Sequence, residues 1–276
     1  MNEESLSSSV IQNLLLPSFS NIIQDKIHVF AEIDSTNTEA KKYAQNTTAD
    51  PHGTVILAEK QTAGRGRLGR SFFSPSQSGL YMSVIYRVTA LDPMLVTALT
   101  SVAVTNAIQE VYGISSSIKW VNDIYVDNKK VCGILTEGII SQKEKKIEFV
   151  VIGIGVNVFL NTEGFPDTLV SIAGALSQNI SVIHSKEFYI TSRNKLCAQI
   201  LNNLFIILSK DEEGINTCIS EYKNRSFLLG KEVSVVKPNE TYKALVLDIT
   251  QKAHLVVEKE DGSKEDLFSG EVSIRF

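Results

Sequence analysis

The stretch TVILAEKQTAGRGRLGR, residues 54–70, sets a β-branched and aliphatic run directly before a loop of glycines and arginines. The run at 54–58 has the composition of a buried strand. A second such run, LYMSVIYRV at 80–88, follows the loop, so the loop connects two sheet elements. Gly64, Gly66 and Gly69 let backbone N–H groups approach a ligand without Cβ obstruction. Arg65, Arg67 and Arg70 supply forked donors that match phosphate or carboxylate. The same string also reads as a solvated basic turn, or as an RGG-like patch for single-stranded RNA.

Composition narrows these readings. The chain has 276 residues, 43% hydrophobic and 21% charged, enough for one large core and a second small one. Its net charge of −4 argues against nucleic-acid binding through the overall field, so any anion site must be local. The apolar patch 10–16 is too short to span a bilayer and has no basic residue before it, Lys26 being the first. A cytosolic protein with no membrane association is the expectation. Cys132, Cys197 and Cys218 form no CxxC pair, and their odd number fits buried thiols rather than a disulfide framework. His28, His52, His184 and His254 lack ligand spacing, so no structural metal site is indicated.

The apolar period divides the chain. Up to about residue 160, strand-like runs alternate with helical stretches, among them IEFVVIGIGVNV at 147–158. The stretch 93–112 opens with Pro93 behind Asp92, an N-cap with proline in the first turn, and repeats Leu95, Leu99, Val102, Ala103 and Ala107 at helical spacing. From 185 to 224 the pattern is helical again, with Leu196, Ile200, Leu204, Ile207 and Leu208 on one stripe. After Arg225 the short runs KEVSVV, YKALVLDI, HLVVEKE and EVSIRF are separated by turn signals. The expected fold is α+β: a mixed β-sheet with helices over 1–225, then a small β-barrel over 226–276. The segment SLSSSVIQNLLL reads as packing or a loose arm.

Three further blocks bear on the arginine loop. KWVND at 119–123 places Lys119 and Asp123 at a strand end and turn, and KKVCGILTEG at 129–138 places Lys130 at the start of a hairpin return strand. Two lysines and a carboxylate therefore converge where the chain reverses. IGIGVN at 152–157 adds Gly153 and Gly155, which could reflect only close strand packing. Taken singly, each lysine is also an ordinary solvent-facing charge.

Together, DSTN at 34–37, EKQTAGRGRLGR at 59–70, LYMSV at 80–84, KWVND at 119–123, KKVCGIL at 129–135 and IGIGVNV at 152–158 resemble the biotin protein ligase family in order and spacing. The resemblance implies a biotin ligase catalytic domain followed by an SH3-like C-terminal domain. It also implies a two-step reaction. Biotin and MgATP give biotinyl-5′-AMP, and a lysine of a biotin carboxyl carrier protein domain, part of a biotin-dependent carboxylase, then takes the biotinyl group. By resemblance, Ser35, Thr36, Asn37, Gln61, Gly64, Arg65, Arg67, Lys130 and Gly133 would bind biotin. Arg65, Arg67, Arg70, Phe72, Lys119, Asn122, Lys130 and Asn157 would bind ATP or the adenylate. Lys130, Arg67, Lys119 and Asp123 would carry the chemistry, with Asp123 a candidate for Mg²⁺. Such residues suit the task, because attack of a carboxylate at the α-phosphate is catalysed mainly by positioning and charge neutralisation.

Some features stay open or depart from the family pattern. Ser35 also reads as a helix N-cap, and Thr36 with Glu39 as a capping box. Val121 stands where the family usually has proline, which would loosen the turn, and Phe72 stands where a tryptophan often covers the ligand. Some members begin with a DNA-binding winged helix-turn-helix. Because DSTN begins at residue 34, a monofunctional enzyme with no sequence-specific DNA partner is expected. An exposed sheet edge leaves room for a homodimer. The competing readings are a lipoate protein ligase of the same fold and a non-catalytic biotin- or nucleic-acid-binding protein.

Overall fold

A computed structural model of the chain describes residues 5–88, 92–140, 146–179, 186–237, 239–268 and 271–273. Residues 1–4 of the polar start, His184, and the end of the EVSIRF run at 274–276 lie outside them. Two short helices, α1 (Ser8–Asn13) and α2 (Pro17–Ile23), precede the main sheet. Among the described residues that sheet has seven strands: β1 (Ile27–Ile33), β2 (Val55–Gln61), β3 (Gly79–Arg87), β4 (Ser117–Lys119), β5 (Asp123–Val126), β6 (Lys129–Ile140) and β7 (Ile147–Asn157). Their order is β1-β2-β3-β7-β6-β5-β4. β1 and β2 are parallel, and α3 (Thr36–Asn46) supplies the crossover a parallel pair requires. The other pairings are antiparallel.

Strand alternation sorts the aliphatic residues into two cores. Val55, Leu57, Val84, Val150 and Ile152 belong to the larger one, while their neighbours Ile56, Ile85, Phe149 and Val151 join Ala40 of α3 in the smaller. The larger core contains the buried sides of α4 (Pro93–Tyr112), α6 (Lys186–Leu208) and α7 (Glu212–Asn224); a short α5 (Asp167–Val170) follows β7. The Asp92 carboxylate accepts from the Met94 amide at 2.7 Å, Pro93 fills the first turn, and α4 ends at left-handed Gly113. By length and composition α4 could cross a bilayer, but here it packs against α6 and α7 and most of it is buried. The stripe Leu196, Ile200, Leu204, Ile207 and Leu208 is buried as its spacing predicts.

The N-terminal segment is packing rather than a loose arm. Ile11 is fully buried, and two buried α6 amides hold the segment's backbone. Asn194 accepts from the Ser7 amide at 2.9 Å, and Asn202 accepts from the Leu16 amide at 2.9 Å. The Leu6 amide donates to Glu59 of β2, which also pairs with Arg193 of α6 at 2.7 Å.

The C-terminal unit is an antiparallel sheet of β8 (Glu232–Lys237), β9 (Glu240–Ile249), β10 (Leu255–Lys259), β11 (Lys264–Leu267) and β12 (Glu271–Ser273), ordered β11-β10-β9-β8-β12. β11 has no counterpart in the sequence reading. Its residues, KEDL, are mostly charged, and it is a strand through its backbone pairing with β10. Val233, Val235, Val246, Leu255, Val257 and Leu267 run into the larger core. The Trp120 indole donates to the Ala253 carbonyl at 2.8 Å, and the Ile118 amide donates to the Arg225 carbonyl at 2.8 Å. The first bond docks the small sheet on the β4–β5 turn, and the second ties β4 to the end of α7.

Candidate active site

The site begins where β2 ends. Gln61 Oε1 accepts from the Thr36 amide at 2.8 Å and lies 3.2 Å from the Thr36 hydroxyl, while its Nε2 donates to Ser74 Oγ at 2.8 Å. The side chain thus closes the first turn of α3 and ties it to the chain leaving the arginine loop. This corrects the capping reading. Ser35 occupies the N-cap position but makes no side-chain cap bond, Thr36 is the first helical residue, and Gln61 satisfies its amide. Ser35, Thr36 and Asn37 are all buried at the cavity wall.

Asn37 is oriented from three sides. Its Oδ1 accepts from Ser83 Oγ at 2.6 Å, and its Nδ2 donates to the Leu135 carbonyl at 3.2 Å and to Glu137 Oε2 at 2.9 Å. A Cβ at Gly153 would lie 2.1 Å from Asn37 Oδ1, so only glycine admits the amide there. Gly155 performs the same service for Phe72, whose ring would stand 2.6 Å from a Cβ at that position. The two glycines therefore permit close approach of cavity side chains to β7. Phe72 lines the cavity.

The loop itself is a narrow hairpin. The Phe72 amide donates to the Gly64 carbonyl at 2.9 Å, and the Gly66 amide donates to the Arg70 carbonyl at 2.7 Å. Its tip is a short 3₁₀ turn, Arg67–Gly69, with Leu68 and Gly69 both in the left-handed region at φ 55° and 75°. Arg67 donates to Asn122 Oδ1 at 3.1 Å and so ties the tip to the β4–β5 turn. Asn122 in turn donates to the Ile134 carbonyl at 2.9 Å. Val121 in this turn is buried, and its carbonyl accepts from Tyr222 Oη at 3.1 Å.

Lys130 Nζ lies 2.7 Å from Asp123 Oδ1, with both side chains partly exposed. Arg65, Arg67, Arg70, Lys119 and Lys130 line the same cavity, and Asp123 is the only carboxylate among its described lining residues. Positive side chains are thus concentrated locally on a chain whose net charge is −4. Asn157 also lines it, with Nδ2 donating to the Gly174 carbonyl at 3.1 Å.

Gly133 lies at the wall beside Lys130 and Phe72. Gly64 is the one expected ligand contact outside the lining. A Cβ there would come 2.4 Å from the Phe72 carbonyl oxygen, so Gly64 closes the neck of the hairpin instead. The sequence reading missed Phe165, Leu169, Ile172 and Ala173, which complete one side. They carry no motif. Their place follows from a backbone bridge in which the Lys130 amide donates to the Ile172 carbonyl at 2.8 Å and the Gly174 amide donates to the Lys130 carbonyl at 2.9 Å.

Glu137 was also missed. Arg65 reaches it with both terminal guanidinium nitrogens, at 3.3 and 3.2 Å, and Lys41 pairs with it from α3. Burial raises the pKa of this carboxyl, but the bonds from Lys41 and Asn37 and the charges of Lys41 and Arg65 prevail and hold it below its ordinary value.

Residues 29–157 match the Biotin/lipoate A/B protein ligase family, and residues 228–275 match the Biotin protein ligase C terminal domain. The chain is 43% identical over 148 residues to the Bifunctional ligase/repressor BirA of Bacillus spizizenii, covering 53% of this chain and 44% of that protein. It therefore spans less than half of that relative's length. It is 26% identical over 219 residues to the Biotin--[acetyl-CoA-carboxylase] ligase of Mycobacterium tuberculosis, covering 77% of this chain and 75% of that one. The structure of a biotin protein ligase from Aquifex aeolicus in complex with biotin and ATP matches with a TM-score of 0.69 and 26% identity, over 91% of this chain and 98% of that one.

Proposed function

We propose that this chain, which belongs to the biotin protein ligase family, joins biotin to ATP as biotinyl-5′-AMP and passes the biotinyl group to a lysine of a biotin carboxyl carrier domain. The carrying observation is the cavity. Five cationic side chains, Arg65, Arg67, Arg70, Lys119 and Lys130, gather at a wall that also holds the uncharged polar groups of Ser35, Thr36 and Gln61. Biotin has a neutral ureido ring at one end and a carboxylate at the other, and a cavity that offers both uncharged polar groups and cations suits it.

In the first step a biotin carboxylate oxygen attacks the α-phosphorus, and the bond to pyrophosphate breaks. Arg65 and Lys130 are assigned to the carboxylate and α-phosphoryl oxygens, with Arg67, Arg70 and Lys119 on the remaining phosphates, where fixed positive groups neutralise charge as it develops. In the second step the carrier's lysine amine attacks the acyl carbon and AMP leaves. Lys130 is assigned to the departing phosphate, and Asp123, held by Lys130, to orienting the amine. Asn122 positions Arg67, and Asn157 and Phe72 address the nucleotide.

Mg²⁺ would enter on ATP. It typically binds through one or two carboxylates plus substrate phosphates, and Asp123 with the Asn157 side-chain oxygen fits that donor set. No cluster of three or more metal-ligating side chains occurs among the described residues. We assign 1–225 to the catalytic domain and 226–276 to a second domain that braces the β4–β5 turn through Trp120. The lipoate ligase reading is not favoured, because a biotin ligase C-terminal domain also matches.

Exchange of labelled pyrophosphate into ATP tests the first step. It should require biotin and should not occur with lipoate in its place; exchange supported by lipoate alone would reverse the assignment. Gly153→Ala tests the pocket. Its Cβ must displace the Asn37 amide, so we expect a stability loss of about 1–3 kcal/mol by chemical denaturation. Biotin affinity should fall by roughly tenfold, the scale of one lost buried hydrogen bond. Unchanged biotin titration would show that Asn37 does not shape the site.

A further inference from the structure

We infer that Glu137 is a positioning residue that holds Arg65 off the ligand, and that Lys41 makes its release possible. The inference rests on reading the cavity as the biotin site. Arg65 lines the cavity, whereas Glu137 does not, so the paired carboxylate stands at the cavity's edge and the guanidinium can serve either side. Arg65 is 44% exposed and Glu137 only 19%, which makes the arginine the movable partner.

The charges explain how the exchange can occur. Lys41, Arg65 and Glu137 together carry one net positive charge. When Arg65 turns to an anionic ligand, Lys41 and Glu137 remain as a neutral pair while Arg65 and the ligand form another, and no charge is stranded. Without Lys41, the same movement would leave a mostly buried carboxylate unpaired, which is costly. Glu137 would then hold Arg65 harder. Asn37 bonds to the same carboxylate at 2.9 Å, so the charge exchange is linked to the wall that meets the ureido end.

The two substitutions should act in opposite directions on a charged ligand and leave a neutral one alone. Biotin and its uncharged alcohol, biotinol, are titrated calorimetrically into the full chain and into Glu137→Gln, Lys41→Met and the double variant. Glutamine still accepts from Asn37, and methionine keeps the aliphatic stem of Lys41. Glu137→Gln should bind biotin about 2- to 5-fold tighter, and Lys41→Met should bind it weaker by a similar factor, the scale of a partly exposed ion pair. The double variant should match Glu137→Gln, since Lys41 acts only through Glu137. Biotinol affinity should stay constant throughout. Equal changes for biotin and biotinol, or no change in the biotin-to-biotinol ratio, would overturn the inference while leaving the biotin reading intact. A wild-type chain that binds neither ligand would overturn both.

Discussion

Replacing Lys130 with alanine is expected to lower biotin-dependent pyrophosphate exchange by at least about 100-fold and to leave the protein folded. One fixed positive group facing a developing phosphoryl charge is worth on the order of 3 kcal/mol. The backbone at this position stays pinned, because the Lys130 amide and carbonyl are bonded to Ile172 and Gly174 whatever the side chain is. Circular dichroism should therefore be unaltered. The substitution also removes the partner of Asp123, 2.7 Å away, and leaves that carboxylate to water. Asp123→Asn in the same background separates the two effects. If it restores exchange, the loss came from the orphaned carboxylate; we expect no restoration. Exchange within about threefold of wild type, less than 1 kcal/mol, would remove Lys130 from the chemistry.

Arg67→Gly should alter fidelity more than the first step. Arg67 joins the hairpin tip to Asn122, and Leu68 and Gly69 beside it already occupy left-handed backbone, so a glycine here removes the tie and adds chain freedom. Lys119 and Lys130 remain in place, and adenylate still forms. A charge-assisted hydrogen bond is worth about 1.5–3 kcal/mol, which predicts roughly 10- to 100-fold faster escape of biotinyl-5′-AMP. The freed adenylate should acylate lysines on a bystander protein such as serum albumin, read by labelled biotin on a gel. Labelling that stays confined to the carrier would remove Arg67 from the role of a latch.

The strands and helices were legible wherever burial imposes a period. β2, β3 and β7 appear as apolar runs because they carry core residues on both faces, and α4 is delimited by Asp92 and Pro93. β11 was not legible, since its charged residues pair through backbone and record little burial. The site was legible as a set of short motifs, and fourteen of the fifteen residues singled out line one cavity, Gly64 being the exception. The roles within it were less so. Ser35 looked like a cap because a serine before a helix usually is one, yet Gln61, at the end of the following strand β2, takes that work. Segment 165–173 and Glu137 carried no signal at all. Their functions depend on the bridge at Lys130 and on contacts of Glu137 with Lys41 and Arg65, groups far apart in the chain.

Transfer of label to a carrier tests the proposed ligase activity most directly. The chain is incubated with ATP, Mg²⁺, labelled biotin and a biotin carboxyl carrier domain, alongside the same domain with its acceptor lysine changed to arginine. Label is expected on the first domain only, dependent on ATP, and lost when Lys130 is alanine. A carrier that stays unlabelled while biotin and ATP bind, or one labelled equally without its acceptor lysine, would contradict that activity.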